Sequence, residues 1–324
     1  MRNKIFNINS DNDFNQTTLE VFKHQFKNNK VYRSFCDLLY VHPSDIAEIK
    51  DIPFLPIQFF KSRKVLSATD KIQETFTSSG TTGNTTSKHF VTDISLYEES
   101  YLKGFFHFYG DLKEYTILAL LPNYLERKGS SLVYMVNDLI NKSHQPESGF
   151  YLNNVKELAE NLKRLDKNGQ KVLLIGVSFA LLDLVEHYQF NLKNTIVMET
   201  GGMKGRRKEL IRDELHSILK NGFGVSQIHS EYGMTELLSQ AYSNGNGVFD
   251  CPPWMKILTR DTEDALTIHQ PNKTGGINVI DLANYNSCSF IATQDLGKVY
   301  KNGSFEIIGR FDNSDIRGCN LMVL

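Results

Sequence analysis

The chain has 324 residues, 40% of them hydrophobic and 23% charged, which is enough apolar material for a large buried core. Its 36 Lys and Arg against 37 Asp and Glu leave a net charge of -1, so there is no basic excess to draw it onto nucleic acid or an anionic membrane. The longest apolar region, Val172 to Val185, is broken by Gly176, Ser178 and Asp183 and reads as core rather than a membrane span.

The N-terminus lacks the apolar run of a secretory signal, and Cys36, Cys251, Cys288 and Cys319 show no CxxC or framework spacing. A cytoplasmic protein with free thiols fits both observations. Residues 1–68 read as a helical N-terminal cap: LEVFKHQFKNN and VYRSFCDLLYV carry apolar residues at helical spacing before Pro43, Pro53 and Pro56.

Over residues 69–247 the pattern becomes an alternation of strand and helix. The strand YTILALLP precedes helices SSLVYMVNDLI and VKELAENLKRLD. Strand KVLLIGVS leads to helix FALLDLVEHY, and strand NTIVMET to helix RRKELIRDELHSILK, stopped at Asn221-Gly222 and followed by strand VSQIHS. Strands apolar throughout are buried on both faces, so the expectation is an α/β nucleotide-binding core with a doubly wound parallel sheet and flanking helices. Residues 248–324 lose helical periodicity and break into WMKILTR, ALTIHQ, GGINVIDL, SFIATQD, KVYK and SFEIIGR, a small β-rich subdomain.

The sharpest local feature is Thr77-Ser78-Ser79-Gly80-Thr81-Thr82-Gly83. Small residues rich in hydroxyls can turn successive N–H and O–H donors onto one anion, which is what a polyphosphate requires. No Gly-Lys-Ser/Thr follows at Walker spacing, and a polar connecting loop would have a similar composition. A second motif gives the first its weight: Glu231-Tyr232-Gly233-Met234-Thr235-Glu236 follows a buried strand, at the edge of a parallel sheet where ligand loops gather. Tyr232 offers a flat face for a base, Gly233 allows close backbone approach, Thr235 is a hydroxyl donor and Glu236 a hard oxygen ligand suited to Mg2+. The alternative is that Thr235 and Glu236 merely open a helix through LLSQAYS. The nine histidines form no HxH or HExxH pair, so no metal centre is expected from them.

With these two motifs in order, the chain resembles the adenylate-forming superfamily of acyl-CoA synthetases and luciferases. Thr293-Gln294-Asp295 matches that superfamily's Thr-x-Asp, Gly309-Arg310-Phe311-Asp312 its Gly-Arg-x-Asp, and Gly201-Gly202 its Gly-rich adenine-lining stretch. The resemblance implies ATP as substrate and Mg2+ as cofactor. It places Asp295 on the ribose hydroxyls, Arg310 on ribose or phosphate, Gly201, Gly202 and Tyr232 around adenine, and Glu236 on the metal. Thr85 and Thr86 stand where the superfamily has Pro-Lys, so Lys88 is given no phosphate role.

The chain ends shortly after Asp312, and the mobile small C-terminal domain of full-length ligases is expected to be absent. The ending Arg317-Gly318-Cys319-Asn320-Leu321, with Thr200 to Lys204 and EYGMTEL, is similar to the LuxE acyl-protein synthetase family of bacterial fatty-acid reductase complexes. That similarity implies transfer of a carboxylic, fatty acyl group from adenylate to Cys319 and onward to a partner acyl reductase. A tethered thiol gains effective concentration over water against a hydrolysable mixed anhydride, which is the physical reason for such a residue. Two other readings remain open: a CoA ligase similar to the phenylacetate-CoA ligases, and a nucleotide-binding subunit without turnover.

Overall fold

The computed structural model describes residues 1–78, 86–121, 129–151, 154–201 and 210–311. The chain divides into two compact units, Ile72–Pro252 and a second composed of Met1–Lys71 with Pro253–Leu324. Among the described residues no helix is long and apolar enough to cross a membrane.

Within Ile72–Pro252, β1 (Glu74–Thr77) and β2 (Lys88–Val91) form an antiparallel ribbon, with Thr77 opposite Lys88. Helix α1 (Ile94–Tyr109) is capped by Asp93, whose carboxylate accepts from the Ser95 amide, and leads to β3 (Tyr115–Leu120). Then come α2 (Ser131–Ser143), β4 (Gly149–Phe150), α3 (Val155–Lys167), β5 (Lys171–Gly176), α4 (Ser178–His187), β6 (Thr195–Glu199), α5 (Arg212–Phe223), β7 (His229–Tyr232) and β8 (Ala241–Ser243).

The sheet order is β4-β3-β5-β6-β7-β8, parallel except for β8 at the edge. Every residue of β3, and of β5 after Lys171, is buried, as expected of strands covered on both faces. Tyr97 of α1 donates from its hydroxyl to the Ser131 carbonyl of α2, tying these helices together. At the other helix pair, Gly222 of α5 lies so close to α4 that a Cβ there would meet Val185 Cβ at 2.4 Å.

Two boundaries differ from expectation. Helix α5 runs through Asn221-Gly222 and stops at Gly224, whose φ of +68° suits a residue without a side chain. Strand β7 begins only at His229 and pairs with β6 at Met198 and Glu199. The alternative of a helix opened by Thr235 and Glu236 is not realised: the chain turns and returns as β8, antiparallel to β7.

In the other unit, helices Asp11–Asn28 and Lys30–Leu38 meet at Asn29, which caps the second by accepting from the Val31 and Tyr32 amides. Strands Met255–Arg260, Thr274–Asp281, Phe290–Val299 and Phe305–Arg310 form an antiparallel meander, with Leu55–Pro56 added in parallel to Phe290–Val299. SFIATQD and KVYK thus belong to one strand, and ALTIHQ contributes only an isolated bridge at Ile268. The helices and the sheet share one core. Phe22, Tyr32, Phe54 and Phe290 pack ring on ring. Gln25 donates to the Asn284 and Tyr285 carbonyls and accepts from the Ser289 amide.

Candidate nucleotide and acyl-transfer site

The hydroxyl-rich segment rises from the end of the β1–β2 ribbon. The Thr77 amide donates to the Gly129 carbonyl at 2.7 Å. Gly129 has φ +88°, and a Cβ there would approach Thr77 Oγ1 to 2.9 Å, so both the backbone and the space require glycine. Ser78 and Ser87 close the base of the segment: the Ser78 amide donates to the Ser87 carbonyl at 3.1 Å, and the Ser87 amide to Ser78 Oγ at 2.9 Å. Ser79, Gly80, Thr81, Thr82 and Gly83 lie outside the described residues.

The second motif continues from β7. His89, fully buried on β2, contacts the Thr235 carbonyl through Nδ1 at 2.8 Å. A carbonyl only accepts, so this nitrogen carries the proton. One hydrogen bond therefore ties the strand leaving the hydroxyl segment to the turn of EYGMTE, residues 146 positions apart. Sequence reasoning placed His89 among scattered histidines; the inward side of a short alternating strand was the only signal it offered.

Glu236 is buried, while Tyr232, Gly233 and Thr235 keep part of their surface. The Tyr232 ring meets Phe249 at a centroid distance of 6.0 Å. Gly233 is held free of a side chain by the protein itself, since a Cβ there would come within 2.3 Å of Glu231 Oε1.

Two carboxylates on adjacent parallel strands hold the turn after β6. Glu199 Oε2 accepts from the Gly201 amide at 3.0 Å and from Ser178 Oγ at 3.2 Å. Glu231 Oε2 accepts from Thr200 Oγ1 at 2.7 Å. Gly201, with φ +58°, has an uncrowded Cβ position, so the backbone conformation is what calls for glycine; Gly202 lies outside the described residues.

The two carboxyls are driven apart. Burial raises that of Glu199, but His216 and Ser230 beside it and the charges of His216 and Arg212 together hold it below its ordinary value. His216 Nε2 stands 3.7 Å from Glu199 Oε1, at ion-pair rather than hydrogen-bond distance. Burial pushes Glu231 up to about 7, with Thr200 opposing and the Glu199 charge reinforcing the rise.

In the other unit, Asp295 is paired with Arg310 through Nε at 3.2 Å; the Arg310 side chain is 74% exposed and that of Asp295 12%. Asp312 and Cys319 lie outside the described residues. Burial lifts the thiols of Cys36 and Cys288 to about 12, so neither supplies thiolate near neutral pH.

Over residues 6–95 the chain matches the model of the family described as acyl-protein synthetase, LuxE. It is 24% identical over 324 residues to the long-chain-fatty-acid--luciferin-component ligase of Vibrio harveyi, covering 93% of this chain and 84% of the relative. The chain is thus similar to the LuxE acyl-protein synthetases. Its fold is that of adenylate-forming ligases. A 2-hydroxyisobutyryl-CoA ligase in complex with 2-HIB-AMP and CoA superposes with a TM-score of 0.69 at 11% identity, covering 94% of this chain and 75% of that one. ATP-bound MatB from Rhodopseudomonas palustris gives 0.56 at 17% identity over 75% of this chain. The chain spans about half the length of that structure, 49%. The family match takes in the first sixty residues, where the motifs say least.

Proposed function

We propose that this chain activates a carboxylic acid of the long-chain fatty class with ATP and carries the acyl group on its own cysteine. The acid's carboxylate oxygen attacks the α-phosphorus and pyrophosphate leaves. The Cys319 thiolate then attacks the acyl carbon, expelling AMP and leaving a thioester, from which an acyl-accepting partner such as an acyl reductase takes the group. The observation that carries the reading is the His89 to Thr235 hydrogen bond, which couples the two motifs a polyphosphate-binding ligase needs. The ligase named for the Vibrio harveyi relative supports the acid as substrate.

In this reading Thr77, Ser78, Ser79, Gly80, Thr81, Thr82 and Gly83 hold the outer phosphates, and Thr235 donates to the α-phosphate. Gly201, Gly202, Tyr232 and Gly233 face adenine, and Asp295 and Arg310 attend the ribose. The carboxylate of Glu236 is a hard oxygen donor that fits Mg2+, and the ion when bound supplies neutralisation of phosphate charge. The protein's share of the first step is positioning and electrostatic stabilisation, as in other phosphoryl chemistry.

Intact-mass spectrometry after incubation with ATP, Mg2+ and a panel of fatty and aromatic acids tests this reading. Wild type is expected to gain one acyl mass, cleavable by neutral hydroxylamine. Cys319→Ala should lose the adduct yet retain carboxylate-dependent exchange of pyrophosphate into ATP, because adenylate forms before the thiol is used. An unmodified wild-type protein that makes acyl-CoA instead would overturn acyl transfer to cysteine.

A further inference from the structure

The ribose-binding candidate Asp295 sits on an irregular piece of sheet. Strand Thr274–Asp281 pairs Gly276 with Leu296 and next Asn278 with Ala292, so Ile277 alone faces Thr293, Gln294 and Asp295. Such a bulge releases backbone groups from the ladder, and once buried they need other partners.

Arg260 supplies partners for two of them, the Ile277 and Thr293 carbonyls. Its guanidinium donates through Nη1 to the Ile277 carbonyl at 2.7 Å and Asn278 Oδ1 at 2.8 Å, and through Nη2 to the Thr293 carbonyl at 2.6 Å. Thr293 Oγ1 donates to the same Ile277 carbonyl and accepts from the Asp295 amide, and the Phe311 amide donates to Gln294 O. The arginine is only 9% exposed, and the sheet is shaped to admit it: a Cβ on Gly276 would fall 2.6 Å from its Cζ. The Asp295 charge acts on Arg260, and exposed Arg310 pairs with Asp295.

We infer that Arg260 is a positioning residue: by fixing the Thr293–Asp295 bulge it aims the Asp295 carboxylate at the ribose hydroxyls of ATP. The inference rests on the nucleotide-binding reading above. A planar guanidinium reaches three acceptors at once, which a lysine ammonium on a single-point stem does not reproduce.

Calorimetric titration of the full chain with ATP and with 2′-deoxy- and 3′-deoxy-ATP is the test, because loss of a ribose contact changes the ratio of affinities and a general loss of stability does not. Wild type is expected to prefer ATP by about tenfold, the size of one polar contact. Asp295→Ala should bring the ratio close to one. Arg260→Met should remove most of the preference while binding the deoxynucleotides as wild type does, and Arg260→Lys should fall between. Should Arg260→Met fail to fold, Arg260→Lys carries the test on the same ratio. A wild-type ratio in the folded Arg260 variant overturns the inference alone. A wild-type ratio in Asp295→Ala overturns the assignment of Asp295 and the inference with it, and a wild-type protein that does not bind ATP overturns the nucleotide reading itself.

Discussion

Replacing Glu231 by Gln should make the protein more stable than wild type at alkaline pH. The Glu231 carboxyl titrates at about 7 in the fold against an ordinary 4.5, chiefly because burial disfavours its charge. Below pH 4.5 it is protonated whether the chain is folded or not, and it contributes no pH dependence. Between 4.5 and 7 the unfolded chain gives up the proton that the folded chain keeps, so wild-type stability falls as pH rises. Above 7 the penalty is complete. At about 1.4 kcal/mol per pH unit it is worth on the order of 3 kcal/mol, an upper bound for a residue that keeps part of its surface. The glutamine has a similar size, and its Oε1 can still accept from Thr200 Oγ1. Urea melts of both proteins at pH 5, 6, 7 and 8 should therefore diverge with rising pH, the Gln variant gaining about 1–3 kcal/mol on wild type across the series. Glu199 titrates in both proteins, so the difference isolates Glu231 to first order. Parallel curves, or a wild type that gains on the variant above pH 7, would refute the argument that Glu231 is buried as the acid.

Glu236→Gln should leave the melting temperature within about 2 °C while lowering pyrophosphate exchange at least about tenfold, with the loss persisting across a Mg2+ titration. Exchange at the wild-type rate would remove Glu236 from the metal role. Gly222→Ala gains about 1 kcal/mol in helix propensity but forces a methyl onto Val185 Cβ, where overpacking costs about 1–3 kcal/mol. Net destabilisation in urea is expected, and a stabilised variant would contradict the close α4–α5 contact.

The parallel sheet was readable because its central strands are apolar without interruption, a pattern only two-sided burial explains. The misread boundaries share a cause, namely residues whose side chains, or lack of them, answer to a neighbour distant in the chain. Asn221-Gly222 looked like a stop, yet Gly222 is there for the approach of Val185, and the left-handed residue that ends the helix is Gly224. A helix through LLSQAYS stayed open as an alternative because a wholly buried run has no periodicity of its own; only Ala241–Ser243 of it forms a strand. The pairing of the N-terminal helices with the C-terminal sheet was not readable, since it rests on contacts such as Gln25 to Ser289, 264 positions apart.

The same division holds at the candidate site. Motif residues announce themselves by type and spacing, whereas the groups that hold them in place do not. His89 has one strand position to recommend it, and Glu199 looks like the polar end of a buried strand. Gly275-Gly276 opens the expected run GGINVIDL, and the structure places both inside strand Thr274–Asp281. There Gly275 lies against the Arg260 backbone and Gly276 against its guanidinium, so the glycines record a buried cation fifteen residues earlier in the chain that no local pattern reveals. The motif gives Asp295, whereas Arg260, which holds the bulge from which that carboxylate reaches Arg310, is found only from the packing.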